Sequence, residues 1–223
     1  MNILILVITI AIAVIDWIAV AKKWKRVEYF AKPGVMIVLL VFLATADAFQ
    51  GALIWFILGV FFSMFGDIFL MLPKEQFIPG LVSFLFAHLA YTVGFTTSSP
   101  TFTLPTIILI FILLLTAYQI YKRISAGLDS NQLTSLKIPV LIYTIVISLM
   151  VFSALTTFLN SDWSFLSAMS VSLGAILFFL SDTVLAWNKF VQPLRFGKLI
   201  TIVNYHIGQI LIVTGAVYHF ANF

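Results

Sequence analysis

Asp16, Asp67 and Asp182, together with His88 and His206, are ionisable side chains set inside long apolar runs. A charge at the centre of a bilayer costs from a few to more than about ten kcal/mol, so each is a candidate for function. Two carboxylates on one site can divide the general acid and general base between them, as glycosidases do around an oxocarbenium-like cation. The same pair can also relay protons or bind a cation in a transporter. Asp67 has the clearer context: Gly59, Ser63 and Asp67 stand at i, i+4 and i+8, and small residues at that spacing mark a face packed on another helix. Asp182 has Gly174 and Phe178 on its stripe and Ser181 beside it. Asp16 adjoins Trp17 and is expected at the interface, reaching water or Lys23. His88, in Phe86-Ala87-His88-Leu89-Ala90-Tyr91, reads equally as a packing residue or a participant. His206, in Asn204-Tyr205-His206-Ile207-Gly208-Gln209, has more polar company, and His219 reads as interfacial.

The elements that must position these groups are membrane spans. Of 223 residues 62% are hydrophobic and 9% charged, which excludes an ordinary soluble domain. A span needs about 20 apolar residues, and such runs lie at 2–21, 33–49, 51–71, 77–97, 103–121, 137–159, 163–187 and 197–221. The expected fold is an all-α bundle of eight transmembrane helices forming one integral membrane domain over 1–223. Asp47 and Gln50 make the second span the least regular. The first reads as a retained span, because no basic residue precedes it and Lys22, Lys23, Lys25 and Arg26 follow. The absence of cysteine excludes disulfides, thiol nucleophiles and thiolate metal sites. The net charge of +4 is accounted for by membrane orientation rather than by nucleic acid.

All 12 basic residues fall in odd-numbered connections: Lys22, Lys23, Lys25, Arg26 and Lys32 in the first, Lys74 in the third, Lys122, Arg123 and Lys137 in the fifth, and Lys189, Arg195 and Lys198 in the seventh. The positive-inside bias therefore predicts that these connections are cytoplasmic and that both termini are outside. In the cysteine-free background, a cysteine introduced at Lys25 should be labelled by a membrane-impermeant reagent only after the cells are opened. Labelling from outside intact cells would invert the topology.

The stretch from Tyr121 to Lys137, with Gly127, Asp129, Ser130 and Asn131, reads as a polar connection between halves at about 1–121 and 137–223. A weak repeat links them, since Gly59 precedes Asp67 by the interval that separates Gly174 from Asp182. Two parallel four-helix halves are expected on this basis.

Further elements recur in order along the chain. They are Lys32-Pro33, then Gly59 through Ser63 to Gly66-Asp67 and Leu70, then Gly80, Phe84, His88 and Tyr91. In the second half they are Gly174-Ala175, Phe178, Ser181-Asp182 and Leu185, then Gly208-Gln209 and Leu211. This set resembles the YhhN/TMEM86 family of integral membrane proteins, whose characterised members are lysoplasmalogenases. The resemblance implies hydrolysis of the vinyl ether bond of a lysoplasmalogen to a fatty aldehyde and a glycerophospho-head group, with Asp67 and Asp182 as the catalytic aspartates. It does not call for a histidine at 206. Substrate-binding or supporting roles are expected of Ser63, His88, Tyr91, Ser181, His206, Gln209 and Lys32.

Chemistry agrees with such an assignment. Protonating the β-carbon of a vinyl ether gives an oxocarbenium ion that water captures, so a protonated carboxyl and an ionised one suffice. No cofactor and no metal are expected, and the partners are a lysophospholipid and the surrounding lipid. The alternative is a proton-coupled or small-molecule transporter. A zinc amidohydrolase ranks last, because it needs three clustered histidines and His206 and His219 are about 20 Å apart along one helix.

Overall fold

The computed structural model describes residues 2–46, 51–72, 76–96 and 103–221; Asp47, Gln50 and Lys74 lie outside the described residues. The helices are α1 (Ile3–Lys22), α2 (Lys25–Ala44), α3 (Leu53–Met71), α4 (Phe77–Phe95), α5 (Leu104–Ser130), α6 (Lys137–Thr156), α7 (Phe165–Phe190) and α8 (Gly197–Phe220). All eight are long and apolar enough to cross a membrane, and the chain is a multi-pass integral membrane protein. Hydrogen bonding within each helix satisfies the backbone where no water can.

Two expected connections prove to be mostly helix. The first shrinks to Lys23 and Trp24. Lys23 adopts a left-handed backbone (φ 59°), and the Lys23 and Trp24 amides close α1 by bonding the Val20 and Ala19 carbonyls. Helix α2 then starts at Lys25, eight residues before the expected span, so Lys25, Arg26 and Lys32 are helical and Pro33 lies inside the helix rather than at its opening. Likewise α5 runs on through Gly127, Asp129 and Ser130, which leaves a connection of Asn131, Gln132, Leu133 and a 3₁₀ turn, Thr134–Leu136. Hydropathy sees only the apolar part of a helix. The polar turns of α5 are fixed instead by contact with α7: the Asn131 side chain donates to the carbonyls of Gly127 (2.7 Å) and Phe190 (3.0 Å). A β-carbon on Gly127 would stand 2.2 Å from the Phe190 carbonyl oxygen, so this approach requires glycine.

Helix α8 packs extensively on α7 and also meets α1, α2 and α3, while α3 packs on α4, α1 on α2, and α4 on α6. Helix α5 is peripheral, and its N-terminal half exposes Ile107, Ile108, Phe111 and Leu115, the surface expected of a lipid-facing helix. Backbones also approach closely between α7 and α8, where a β-carbon on Gly174 would lie 2.7 Å from the Gly208 carbonyl oxygen and 2.8 Å from the Ile212 nitrogen.

Candidate active site

The stripe of α3 that carries Gly59, Ser63 and Asp67 is buried, as its spacing requires. On α7, Gly174, Phe178 and Ser181 are buried and Asp182 retains a partly open side chain. These helices bring Asp67 and Asp182 to one cleft with about 830 Å³ of empty space, its mouth included. Its walls are chiefly apolar and come from α3 to α8, with Leu81 and Phe84 of α4, Ile120 and Ile124 of α5, and Ile147 of α6 among them; Lys32 of α2 completes the lining.

The two acids have different partners. Asp67 is 1% exposed in its side chain, stands 2.9 Å from the Lys32 ammonium and accepts a 2.8 Å hydrogen bond from the Tyr205 hydroxyl. Edge-on contacts with Phe84 and Phe178 fix the Tyr205 ring. Asp182 accepts a hydrogen bond from Tyr143, and its Oδ2 also lies 3.2 Å from His88 Nε2. His88 in turn reaches the Tyr143 hydroxyl at 2.8 Å, so α4, α6 and α7 are joined through one polar cluster. Asp67 and Asp182 both face this cleft.

Several other expected residues gather into the core without reaching the cleft. Gln209 donates to Ser63 at 2.8 Å and accepts from Tyr91 at 2.5 Å, which links α3, α4 and α8. Ser181 lines the cleft and ties α7 to α8 by donating to the Thr201 carbonyl at 2.9 Å. His206 is not among the cleft residues. It is fully buried, and its Nδ1 accepts from the Trp17 indole at 3.1 Å, which joins α8 to α1. His219 stacks on Trp163 with ring centroids 3.8 Å apart.

Asp16 departs from expectation. Its neighbour Trp17 suggested an interfacial carboxylate, yet Asp16 is 0% exposed and lies on the α1 face that also buries Thr9, Ala13 and Val20. Neither of its carboxylate oxygens has a hydrogen-bond partner among the described residues, so the expected reach to Lys23 is not made. Asp16 nevertheless does not line the cleft.

Sequence reading missed Tyr143 and Tyr205. A tyrosine within a span needs a hydrogen-bond partner for its hydroxyl, and that was the available signal at Tyr205. Tyr143, six residues into α6, is where a belt of interfacial aromatics also falls, so position alone does not separate the two roles. Among the described residues, no group of three or more histidine, aspartate or glutamate side chains is placed to hold a metal ion.

The chain is 31% identical over 183 residues to lysoplasmalogenase TMEM86B of Sus scrofa, covering 78% of this chain and 68% of the relative. It is 30% identical over 204 residues to lysoplasmalogenase TMEM86B of Mus musculus, covering 90% and 79%. It is 26% identical over 215 residues to the uncharacterised membrane protein YhhN of Escherichia coli, covering 92% and 95%. No solved structure matches the chain. Since the YhhN family profile matches residues 27–216, from the start of α2 to within α8, the chain belongs to the YhhN family.

Proposed function

We propose that this protein is a membrane-embedded hydrolase that cleaves the vinyl ether bond of lysoplasmalogen-type lysophospholipids. The observation that carries this reading is the convergence of Asp67 and Asp182 on one apolar cleft in a chain related to lysoplasmalogenases. The apolar walls suit the alkenyl chain, and the lysines at the start of α2 and the α7–α8 junction suit the phosphate.

In this reading Asp182 is the acid. Both of its contacts fall on Oδ2, which leaves Oδ1 to carry the proton. That proton goes to the β-carbon, and the positive charge left on the ether oxygen and α-carbon is an oxocarbenium ion. Asp67, paired with Lys32, is the carboxylate that steadies the cation and takes a proton from the attacking water. The hemiacetal then collapses: its hydroxyl proton returns to Asp182, Asp67 gives its proton to the departing glycerol oxygen, and both groups regain their starting states. The products are the aldehyde and the glycerophospho-head group. Tyr143 and Tyr205 hold the two carboxyls in place.

Purified protein incubated with lysophospholipids that carry or lack the vinyl ether should release aldehyde only from the former, and a chelator should not change the rate. Loss in chelator with recovery in zinc would transfer the chemistry to a metal hydrolase with His88 as a candidate ligand. No aldehyde from any vinyl ether would leave a transporter as the better reading.

A further inference from the structure

A second cavity adjoins the cleft. Its wall includes Lys25, Glu28, Tyr29, Lys32, Asn188 and Lys198, and it shares Lys32, Leu70, Leu185, Thr201 and Ile202 with the cleft. One molecule can therefore lie with an apolar chain in the cleft and a polar head in this vestibule. The vestibule is rich in lysine, as an anion site should be, yet among the described residues one acid, Glu28, also lines it.

Glu28 is only 4% exposed, and its two oxygens differ. Oε1 is held by the Lys198 ammonium at 2.5 Å, which ties α2 to α8. Oε2 accepts no hydrogen bond among the described residues, and the Lys25 ammonium stands off at 3.8 Å, beyond hydrogen-bond distance. The Lys25 side chain is 66% exposed, so it is free to turn away. The tie to α8 uses one oxygen; the other is a buried acceptor beside a cavity with a displaceable cation in front of it. A buried carboxylate oxygen gains most from a charged donor.

We propose that the vestibule recognises a lipid head group bearing both a phosphate and a primary ammonium, with Glu28 Oε2 accepting from the ammonium while Lys25 and Lys198 meet the phosphate. The proposal rests on the lysophospholipid reading and deepens it: ethanolamine head groups are preferred to choline. The ligand ammonium takes the place of the Lys25 ammonium against Oε2, and Lys25 swings toward the phosphate. A quaternary ammonium has no N–H to donate and is usually held by several aromatic faces. Tyr29 is the one aromatic ring on this wall among the described residues.

The test is binding of acyl lysophospholipids to purified protein, with lysophosphatidylethanolamine, lysophosphatidylcholine and lysophosphatidic acid as probes. None has a vinyl ether, so the readout stands even if no aldehyde is ever formed. The native protein should bind the ethanolamine lipid about tenfold more tightly than the choline lipid, the worth of one charge-assisted hydrogen bond. Glu28→Gln should bring that ratio to near one and should strengthen binding of lysophosphatidic acid, which has no ammonium to lose. Lys25→Met, at an exposed position, should keep the ratio while weakening all three. Equal affinity of the native protein for ethanolamine and choline lipids would overturn the proposal. So would an equal fall for all three lipids in Glu28→Gln, which is the signature of a tie between α2 and α8 alone. If Glu28→Gln does not fold, loss of the ethanolamine preference in Lys25→Met overturns it instead.

Discussion

Asp67→Asn and Asp182→Asn are each expected to lower aldehyde release by about 10²–10⁴-fold, the usual worth of a positioned acid or base. An amide keeps the shape of the carboxyl and can still accept from Tyr205 or Tyr143, but it cannot cycle a proton. Because the two acids act on successive steps of one reaction, the double mutant should be little worse than either single mutant. The substitutions should differ in stability. Asp67→Asn strands the Lys32 ammonium, a cation with 14% of its side chain exposed, and breaking a buried pair by removing one partner costs about 3–5 kcal/mol. Lys32→Met added to Asp67→Asn should restore thermal stability without restoring turnover, which separates chemistry from folding. Asp182→Asn removes no ammonium partner and should unfold near the native temperature. Asp16→Asn should reduce turnover far less, because Asp16 is buried outside the cleft. Near-normal aldehyde release from one Asn mutant would remove that residue from the mechanism, and the same result from both would favour transport.

Gly174→Val is expected to damage both the fold and the site. The new β-carbon would meet the Gly208 carbonyl oxygen and the Ile212 backbone nitrogen at under 3 Å, and backbone cannot rotate aside as a flexible side chain does. The helices must separate, at a cost of about 1–3 kcal/mol or more for overpacking. Since α8 carries Tyr205 and α7 carries Asp182, separation also pulls apart the two halves of the site, so activity should fall along with the unfolding temperature of the solubilised protein. Gly34→Ala supplies the control, because its β-carbon would find Ile12 at 3.5 Å, an ordinary contact. If Gly174→Val were as stable as Gly34→Ala, the close α7–α8 approach would be wrong.

The number of helices, and the inward aim of Asp67 and of the stripe below Asp182, follow from local pattern. A run of about 20 apolar residues spans a bilayer whatever its neighbours, and small residues at i and i+4 face a partner helix whichever helix that proves to be. Those properties belong to one segment at a time, and the sequence by itself determined them. Where α2 begins and α5 ends were decided otherwise. The polar turns beyond the hydrocarbon have no hydropathy signal, and α5 is held to Ser130 by the Phe190 carbonyl, distant in sequence. Asp16 shows the same limit from the opposite side: a tryptophan next to it suggests water, but burial depends on how α1 meets α2 and α8, which no pattern within α1 specifies.

The partners of the two acids were likewise a tertiary matter. Lys32 precedes Asp67 by a whole helix and its connection, yet the ion pair forms because α2 delivers the lysine to the lining of the cleft. Tyr143 and Tyr205 could as well have been interfacial anchors, and His206, which had the more polar neighbours in sequence, turns to Trp17 while His88 turns to Asp182. A side chain's type and its stripe on a helix are local quantities. Which group completes its hydrogen bonds depends on the rotation and spacing of helices far apart in the chain, set by contacts such as Gly174 against Gly208, and only the assembled bundle decides that.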